Sequence, residues 1–96
     1  MSAHPLERAV PWPPVHRAAP AEPASTRFGA VVRQLRESRR WSQEHLAGLA
    51  SINRSYMGEV ERGAAMPSLA TAEKLARALE VALSTLISRC EDAALN

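Results

Sequence analysis

The 96-residue chain lacks the sequence features that crosslink a protein, hold it in a membrane or direct its secretion. Its single cysteine, Cys90, cannot form a disulfide or a cysteine metal site within one chain, which points to a reducing compartment. No apolar run reaches the roughly 18 residues of a transmembrane helix. The N-terminus has no apolar stretch before a cleavage site, so we expect no secretory signal.

The patterns that carry catalysis or metal binding are also missing. The sequence has no paired carboxylates, metal-ligand spacing, glycine-rich phosphate loop or cysteine and histidine in register. His4 and His16 lie in the N-terminal segment, and His45 is expected to be a partly exposed surface residue. We therefore expect no enzymatic activity, no metal and no cofactor.

Proline is distributed unevenly and divides the chain. Six of the seven prolines lie within the first 25 residues, where large apolar side chains are scarce. Such a segment cannot bury enough surface to offset the loss of chain entropy. We therefore predict a disordered tail over residues 1–25, a folded domain over residues 26–90 and a frayed C-terminus over residues 91–96.

From Thr26 onward, apolar residues recur with a period near 3.6 residues, which is typical of helices. The pattern predicts an all-α fold with five short helices. Thr26, Ser42, Asn53 and Ser68 are candidate N-caps, and Gly63 is expected to end the third helix. The expected helices cover about residues 27–39, 43–50, 54–61, 69–79 and 83–89.

The periodicity also predicts which helix residues face the core and which face outward. Leu49 and Leu69 are expected on inner helix faces, and Gly58 on the outer face of the third helix. Only residues 51–53 separate the second and third helices, so these two helices must cross at a steep angle. That geometry is the helix-turn-helix, in which the second of the two helices can enter the major groove of DNA.

The charge pattern leaves two interpretations open. Eleven of the twelve basic residues are arginine, and five of them lie between Arg27 and Arg40. Arginine matches phosphate and base edges better than lysine does, which favours an acidic polymer as partner. A solvated arginine-rich helix face explains the same composition equally well.

Five segments agree in order and spacing with one known family. They are WSQEHLA at 41–47, INRSYM at 52–57, EVERG at 59–63, PSL at 67–69 and KLARAL at 74–79. Over about residues 27–88 the chain resembles the Cro/C1-type helix-turn-helix family, also called the XRE family. NRSY followed by ERG is similar, more narrowly, to the controller proteins of restriction-modification systems.

The resemblance implies a five-helix, lambda-repressor-like domain that regulates transcription. It further implies a homodimer on a pseudo-palindromic operator in double-stranded DNA. The expected location of such a bacterial or phage protein is the cytoplasm, in association with the nucleoid. A second hypothesis is an antitoxin-type module that also binds DNA and holds a protein partner through its N-terminal tail, with Trp12 as the anchor.

Candidate base contacts lie at the start and on the outer face of the third helix. Arg54 is the main candidate, because a guanidinium there can bind O6 and N7 of guanine together. Ser55 can reach a base or a phosphate, and Asn53 serves mainly as the cap. For Glu59, accepting from cytosine N4, orienting Arg54 and repelling phosphate remain equal alternatives.

Candidate phosphate contacts surround the same helix. Unpaired amides at a helix start favour anions, and the resemblance assigns a phosphate contact to Gln43 in the first turn of the second helix. Tyr56, Arg62 and Arg40 complete the set, and Arg39 is expected to add to the same electrostatic footprint.

The resemblance also assigns structural roles. It implies an inner ion pair between Arg36 and Glu61, which would tie the first helix to the third. The helical pattern gives the fifth helix an apolar face of Leu83, Leu86 and Ile87. Burial of part of this face in the core stays open as an alternative, and we expect the face to be a homodimer interface.

Three residues depart from the family pattern. Arg40, Ser51 and Glu80 stand where the family often has glycine at a helix end. We therefore expect a left-handed backbone at these positions, at a cost of about 1 kcal/mol each.

Overall fold

The computed structural model describes residues 22–95 of the chain. Five helices and no strand occur in this range, which confirms the predicted all-α class. The helices are α1 (Ala24–Ser38), α2 (Gln43–Ala50), α3 (Arg54–Glu61), α4 (Leu69–Ala78) and α5 (Leu83–Leu95). Most of the predicted tail, up to residue 21, lies outside the described residues, and so does its proposed anchor Trp12.

Side-chain caps fix where the three central helices begin. Ser42 Oγ accepts from the His45 amide at 3.0 Å, and Asn53 Oδ1 accepts from the Tyr56 amide at 2.7 Å. Ser68 Oγ does the same for α4, 3.2 Å from the amide of Thr71. Each cap satisfies an amide that has no partner within its helix, so the starts expected from the sequence are correct for these helices.

The two outer helices extend beyond their expected bounds. The α1 helix begins at Ala24, because the Pro23 carbonyl accepts from the amides of Thr26 and Arg27, both at 3.1 Å. Thr26 is therefore not the N-cap. The α5 helix continues to Leu95, although fraying was expected from residue 91. Arg27 Nη1 donates to the Cys90 carbonyl at 3.1 Å and ties this part of α5 to α1.

All five helices contribute to one apolar core. A fully buried side chain comes from each in turn: Phe28, Leu46, Met57, Leu75 and Leu86. The assignment of Leu86 to a dimer interface was therefore wrong, since its side chain is 0% exposed. The α5 helix packs on both α1 and α4, and these contacts bury the centre of the apolar face of α5. Leu83 and Ile87 flank that centre and stay half-buried.

Two leucines expected on inner faces lie outside the core. Leu49 is 50% exposed, because Leu46, Ala47 and Ala50 already fill the buried side of the short α2 helix. Leu69 is 72% exposed and is the first residue of α4, ahead of the turns that pack on the core. None of the helices within residues 22–95 is long and apolar enough to cross a membrane.

The helix ends carry the left-handed residues that the sequence predicted. Arg40, Ser51 and Glu80 have φ values of 59°, 59° and 60°. After Ser51, the amide of Ile52 donates to the Ala47 carbonyl at 3.0 Å, and equivalent bonds follow the other two residues. This Schellman arrangement satisfies carbonyls at the helix end and turns the chain sharply enough to place α2 against α3.

A glycine sets the distance between α1 and α3. A Cβ atom on Gly29 would overlap the Val60 carbonyl oxygen and lie 2.7 Å from the Glu61 carbonyl oxygen. Only a residue without a side chain permits this approach of α1 to the end of α3. The contact holds α3 in place from behind.

Candidate nucleic-acid interface

The polar side of α3 faces away from the core. Asn53, Arg54, Ser55 and Glu59 are all exposed, whereas Met57 and Val60 on the opposite side are 0% exposed. Among the residues that the structure describes, the Arg54 guanidinium has no hydrogen-bonding or ion-pair partner. The side chain is thus available to an external acceptor, at the helix end that a groove would admit first.

Asn53 and Tyr56 both stabilise the start of α3 and lie next to its outward-facing polar side. Asn53 Oδ1 is occupied by the cap, so its amide nitrogen is the group left to contact DNA. Tyr56 is half-buried and packs its side chain against the core. Both residues therefore support the start of α3 irrespective of any contact with DNA.

A buried ion pair ties α3 to α1. Arg36 Nε lies 2.7 Å from Glu61 Oε2, and Arg36 Nη2 lies 2.9 Å from Glu61 Oε1. This is the pair that the resemblance implied, and its side chains are 11% and 3% exposed. Its hydrogen bonds to Glu61 raise the pKa of Arg36 above the ordinary value, although burial acts in the opposite direction. Arg36 Nη1 also donates to the Trp41 carbonyl at 2.7 Å, which holds the α1–α2 turn.

Gln43 has an internal contact that the sequence did not reveal. Its Nε2 atom donates to Glu61 Oε1 at 3.0 Å, so the candidate phosphate contact is joined to the buried ion pair. The second N–H of the Gln43 amide takes no part in this bond. The half-buried side chain lies in the first turn of α2, beside the amides that open that helix.

Arg62 lies close to Gln43, above a glycine. A Cβ atom on Gly58 would be 3.0 Å from Arg62 Nη1 and 3.9 Å from Gln43 Oε1, so both polar groups cover the same point of α3. Gly58 was expected on the outer face and is instead buried. The sequence could not show this, because the cover is an arginine that folds back over its own helix. Arg62 itself is exposed.

The two arginines that end α1 have different positions. Arg40 is exposed in the turn, two residues before the cap of α2. Arg39 is half-buried; it donates to the carbonyls of Leu35 and Leu79, and its guanidinium carbon lies 5.7 Å from the centre of the Trp41 ring. The expectation that Arg39 adds to a phosphate footprint is therefore not supported.

A second concave surface lies away from α3. An open groove of about 640 Å³ runs between α2 and α4, with Trp41, His45, Leu49, Lys74 and Arg77 among its lining residues. The Trp41 and His45 rings meet edge to face, with centroids 5.0 Å apart. No residue of α3 lines this groove, so it is separate from the candidate interface.

Cys90 is not part of either surface. Its side chain is buried in the core, and burial raises the pKa of its thiol, while the charge of Arg27 acts in the opposite direction. A buried thiol with a raised pKa has little reactive thiolate at neutral pH. The position is structural.

Comparison with known proteins yields one family match and several relatives. A family described as a helix-turn-helix domain matches residues 27–93. The HTH-type transcriptional regulator SutR of Escherichia coli is 37% identical over 61 residues, which is 64% of this chain. The match spans only 34% of the length of SutR.

Two controller proteins match over most of their own length. Control protein C.BamHI of Bacillus amyloliquefaciens is 40% identical over 70 residues, covering 67% of this chain and 86% of C.BamHI. The crystal structure of the restriction-modification controller protein C.AhdI of Aeromonas hydrophila superposes with a TM-score of 0.63 at 44% identity. That superposition covers 65% of this chain and 94% of C.AhdI.

Proposed function

Because the chain belongs to the helix-turn-helix family of Cro/C1-type DNA-binding transcriptional regulators, we propose that it binds an operator in double-stranded DNA and regulates transcription there. The bound form is a homodimer on a pseudo-palindromic site. The proposal includes a cytoplasmic location, as expected for a regulator that meets the chromosome. It assigns no catalytic role to any residue.

The outward-facing polar side of α3 carries this proposal. The helix is held from behind by the core and by the Arg36–Glu61 pair, and its exposed side presents Arg54, Ser55 and Glu59 to the surroundings. A recognition helix needs this combination of a rigid support and an accessible polar edge.

Base recognition is assigned chiefly to Arg54. Its guanidinium has no internal partner among the described residues and can bind a guanine through two hydrogen bonds, which is worth about 1–3 kcal/mol of discrimination. Ser55, Glu59 and the free amide nitrogen of Asn53 are secondary base contacts.

Phosphate contacts are assigned to groups that flank α3. Gln43 and Arg62 lie together above Gly58, Tyr56 stands at the start of α3, and Arg40 lies in the α1–α2 turn. Such contacts set the register of a protein on the duplex, and they make its affinity depend on salt concentration.

The dimer interface is now assigned to Leu83 and Ile87 alone. Both are half-buried at the edge of the core, so a second copy of α5 can cover their remaining apolar surface. The two α3 helices of the dimer would have to lie about 34 Å apart to enter successive major grooves.

A narrower proposal is that the protein is a controller of a restriction-modification system. Its support is the near-complete coverage of C.BamHI and C.AhdI, at 40% and 44% identity, against the partial coverage of SutR. The antitoxin alternative depends on a tail that lies mostly outside the described residues. A neighbouring toxin gene would favour it, whereas a neighbouring restriction and modification pair would favour the controller.

Selection of bound sequences from random DNA tests the proposed function. The wild-type protein should enrich a two-fold symmetric site, and Arg54→Ala should lose the preference at one symmetric position in each half-site. Arg77→Ala, an exposed arginine on α4, is the matched control and should select the wild-type site. Recovery of no preferred sequence by the wild-type protein would refute the proposal.

A further inference from the structure

Glu61 joins three helices through one carboxylate. Its Oε2 atom accepts from Arg36 Nε on α1, and its Oε1 atom accepts both from Arg36 Nη2 and from Gln43 Nε2 on α2. The Glu61 side chain is 3% exposed. The bond from Gln43 is not needed for an ion pair between α1 and α3. It connects Glu61 to a residue at the edge of the candidate interface.

We propose that Glu61 is a positioning residue for the DNA backbone contact made by Gln43. The bond from Gln43 Nε2 holds the side-chain amide in one orientation, so that its second N–H is presented to a phosphate of the duplex. This inference rests on the proposed function, because the phosphate belongs to the operator.

The chemistry of the bond allows one orientation of the amide. A carboxylate only accepts hydrogen bonds, so Glu61 must face the Nε2 side of Gln43 and never the Oε1 side. A phosphate likewise accepts only, and it requires the same nitrogen. Without Glu61 the amide can rotate and present Oε1, which repels phosphate.

Anchoring the glutamine before DNA arrives also lowers the entropic cost of binding. Ordering a long polar side chain at an interface has an entropic cost that opposes binding. Gln43 is bonded to Glu61 within the fold and is half-buried, so most of this cost falls on folding. Arg36 neutralises Glu61 through two hydrogen bonds, which prevents the carboxylate from repelling the phosphate that Gln43 contacts.

Arg62 places a positive charge over the same glycine, Gly58, that this amide covers. Its Nη1 atom and Gln43 Oε1 both lie within 4 Å of the point that a Cβ on Gly58 would occupy. A phosphate at the start of α2 would therefore meet a fixed N–H donor and a cation together.

A double-mutant cycle on operator binding tests the positioning role. Glu61→Gln should weaken binding about tenfold when residue 43 is glutamine, and less than about twofold in the Gln43→Ala protein, as for residues of one hydrogen-bonded network. Equal weakening in both backgrounds would mean that Glu61 only supports the fold, and would overturn the proposal.

Operators with single methylphosphonates identify the phosphate concerned. Neutralising the phosphate contacted by Gln43 should weaken binding of the wild-type protein clearly more than binding of the Glu61→Gln and Gln43→Ala proteins, which keep only the Arg62 contact at that position. Arg36→Lys is the matched control, because it breaks the two-bond ion pair yet leaves Glu61 as an acceptor for Gln43. Its melting temperature should fall while its methylphosphonate profile stays that of the wild-type protein.

A measurement on the wild-type protein without DNA covers the case in which Glu61→Gln does not fold. Side-chain NMR relaxation should give the Gln43 amide an order parameter near the value of about 0.85 typical of rigid backbone. A value below about 0.6 would overturn the inference while leaving the proposed function intact. Failure of the wild-type protein to select any DNA site would instead refute the proposed function, whatever the mobility of Gln43.

Discussion

The guanidinium of Arg39, at the end of α1, donates from Nη2 to the carbonyl oxygen of Leu79 at the end of α4. Its Nη1 atom also donates to the Leu35 carbonyl at 3.2 Å. One side chain thus satisfies carbonyls at two helix ends, where the helix dipoles favour a positive charge.

Removing this link should destabilise the fold. Arg39→Ala should lower the free energy of unfolding by about 2 kcal/mol, because hydrogen bonds to charged groups are worth about 1.5–3 kcal/mol. Urea denaturation measures the change. Arg33→Ala is the control: within residues 22–95, Arg33 forms only an exposed pair with Glu37, so its loss should cost less than about 0.5 kcal/mol. Equal effects of the two variants would contradict the bridging role.

Two glycines in helices should respond to alanine in opposite ways. A Cβ on Gly48 meets nothing within 4 Å, so Gly48→Ala should raise the free energy of unfolding by up to about 1 kcal/mol through helix propensity. A Cβ on Gly29 overlaps the backbone of α3, and Gly29→Ala should cost about 3 kcal/mol or prevent folding. Thermal and urea denaturation of both variants measure these changes in the free energy of unfolding. A Gly29→Ala protein as stable as the wild type would show that α1 does not approach α3 so closely.

The left-handed residue between α2 and α3 is a site for stabilisation. Ser51 has a φ of 59°, which costs a non-glycine residue about 1 kcal/mol. Ser51→Gly should therefore raise the free energy of unfolding by about 0.5–1 kcal/mol. The gain is smaller than the strain relieved, because glycine also increases the entropy of the unfolded chain. Ser51→Ala keeps the strained backbone and should give no such gain. A Ser51→Gly protein less stable than the wild type would contradict the strain.

Salt dependence should reveal whether Arg62 contacts phosphate. The slope of log affinity against log salt concentration should become shallower by about 0.9 in Arg62→Ala, as expected for one lost phosphate contact. The preferred operator sequence should not change. Arg77→Ala should keep the wild-type slope, and a slope unchanged in Arg62→Ala would remove Arg62 from the phosphate contacts.

Dimerisation should depend on the edge of α5 rather than on its centre. Leu83→Gln combined with Ile87→Gln should shift the protein towards monomer in sedimentation at micromolar concentration, while the helical circular dichroism stays near that of the wild type. Leu86→Ala should instead lower stability by about 2–5 kcal/mol, as for other buried leucines. A wild-type protein that sediments as a monomer at tens of micromolar, with or without operator, would contradict the proposed dimer.

Local chemistry made several features predictable from the sequence. Ser42, Asn53 and Ser68 cap the helices they were expected to cap, because a short polar side chain can satisfy the amide three residues later without help from the rest of the fold. Arg40, Ser51 and Glu80 have the left-handed backbone expected of helix ends. The outer face of α3 follows from the spacing of Met57 and Val60.

Other features could not be predicted, because they depend on contacts between segments distant in the chain. Leu86 and Leu83 look alike in the helical pattern, yet α1 and α4 together cover only the first of them completely. Arg39 and Arg40 are neighbours of the same type, and the bond from Arg39 to Leu79, 40 residues away in the chain, could not be read from the sequence.

The sequence by itself determined the all-α class, the starts of α2, α3 and α4 and the polar face that α3 turns outward, since each depends on residues within one or two helical turns. The resemblance already implied the pair of Arg36 and Glu61, but the tertiary structure alone decided that Gln43 and Arg39 are also engaged within the fold. Glu61 binds Arg36 from 25 residues away and Gln43 from 18 residues away, and only the packing of three helices brings those donors to one carboxylate.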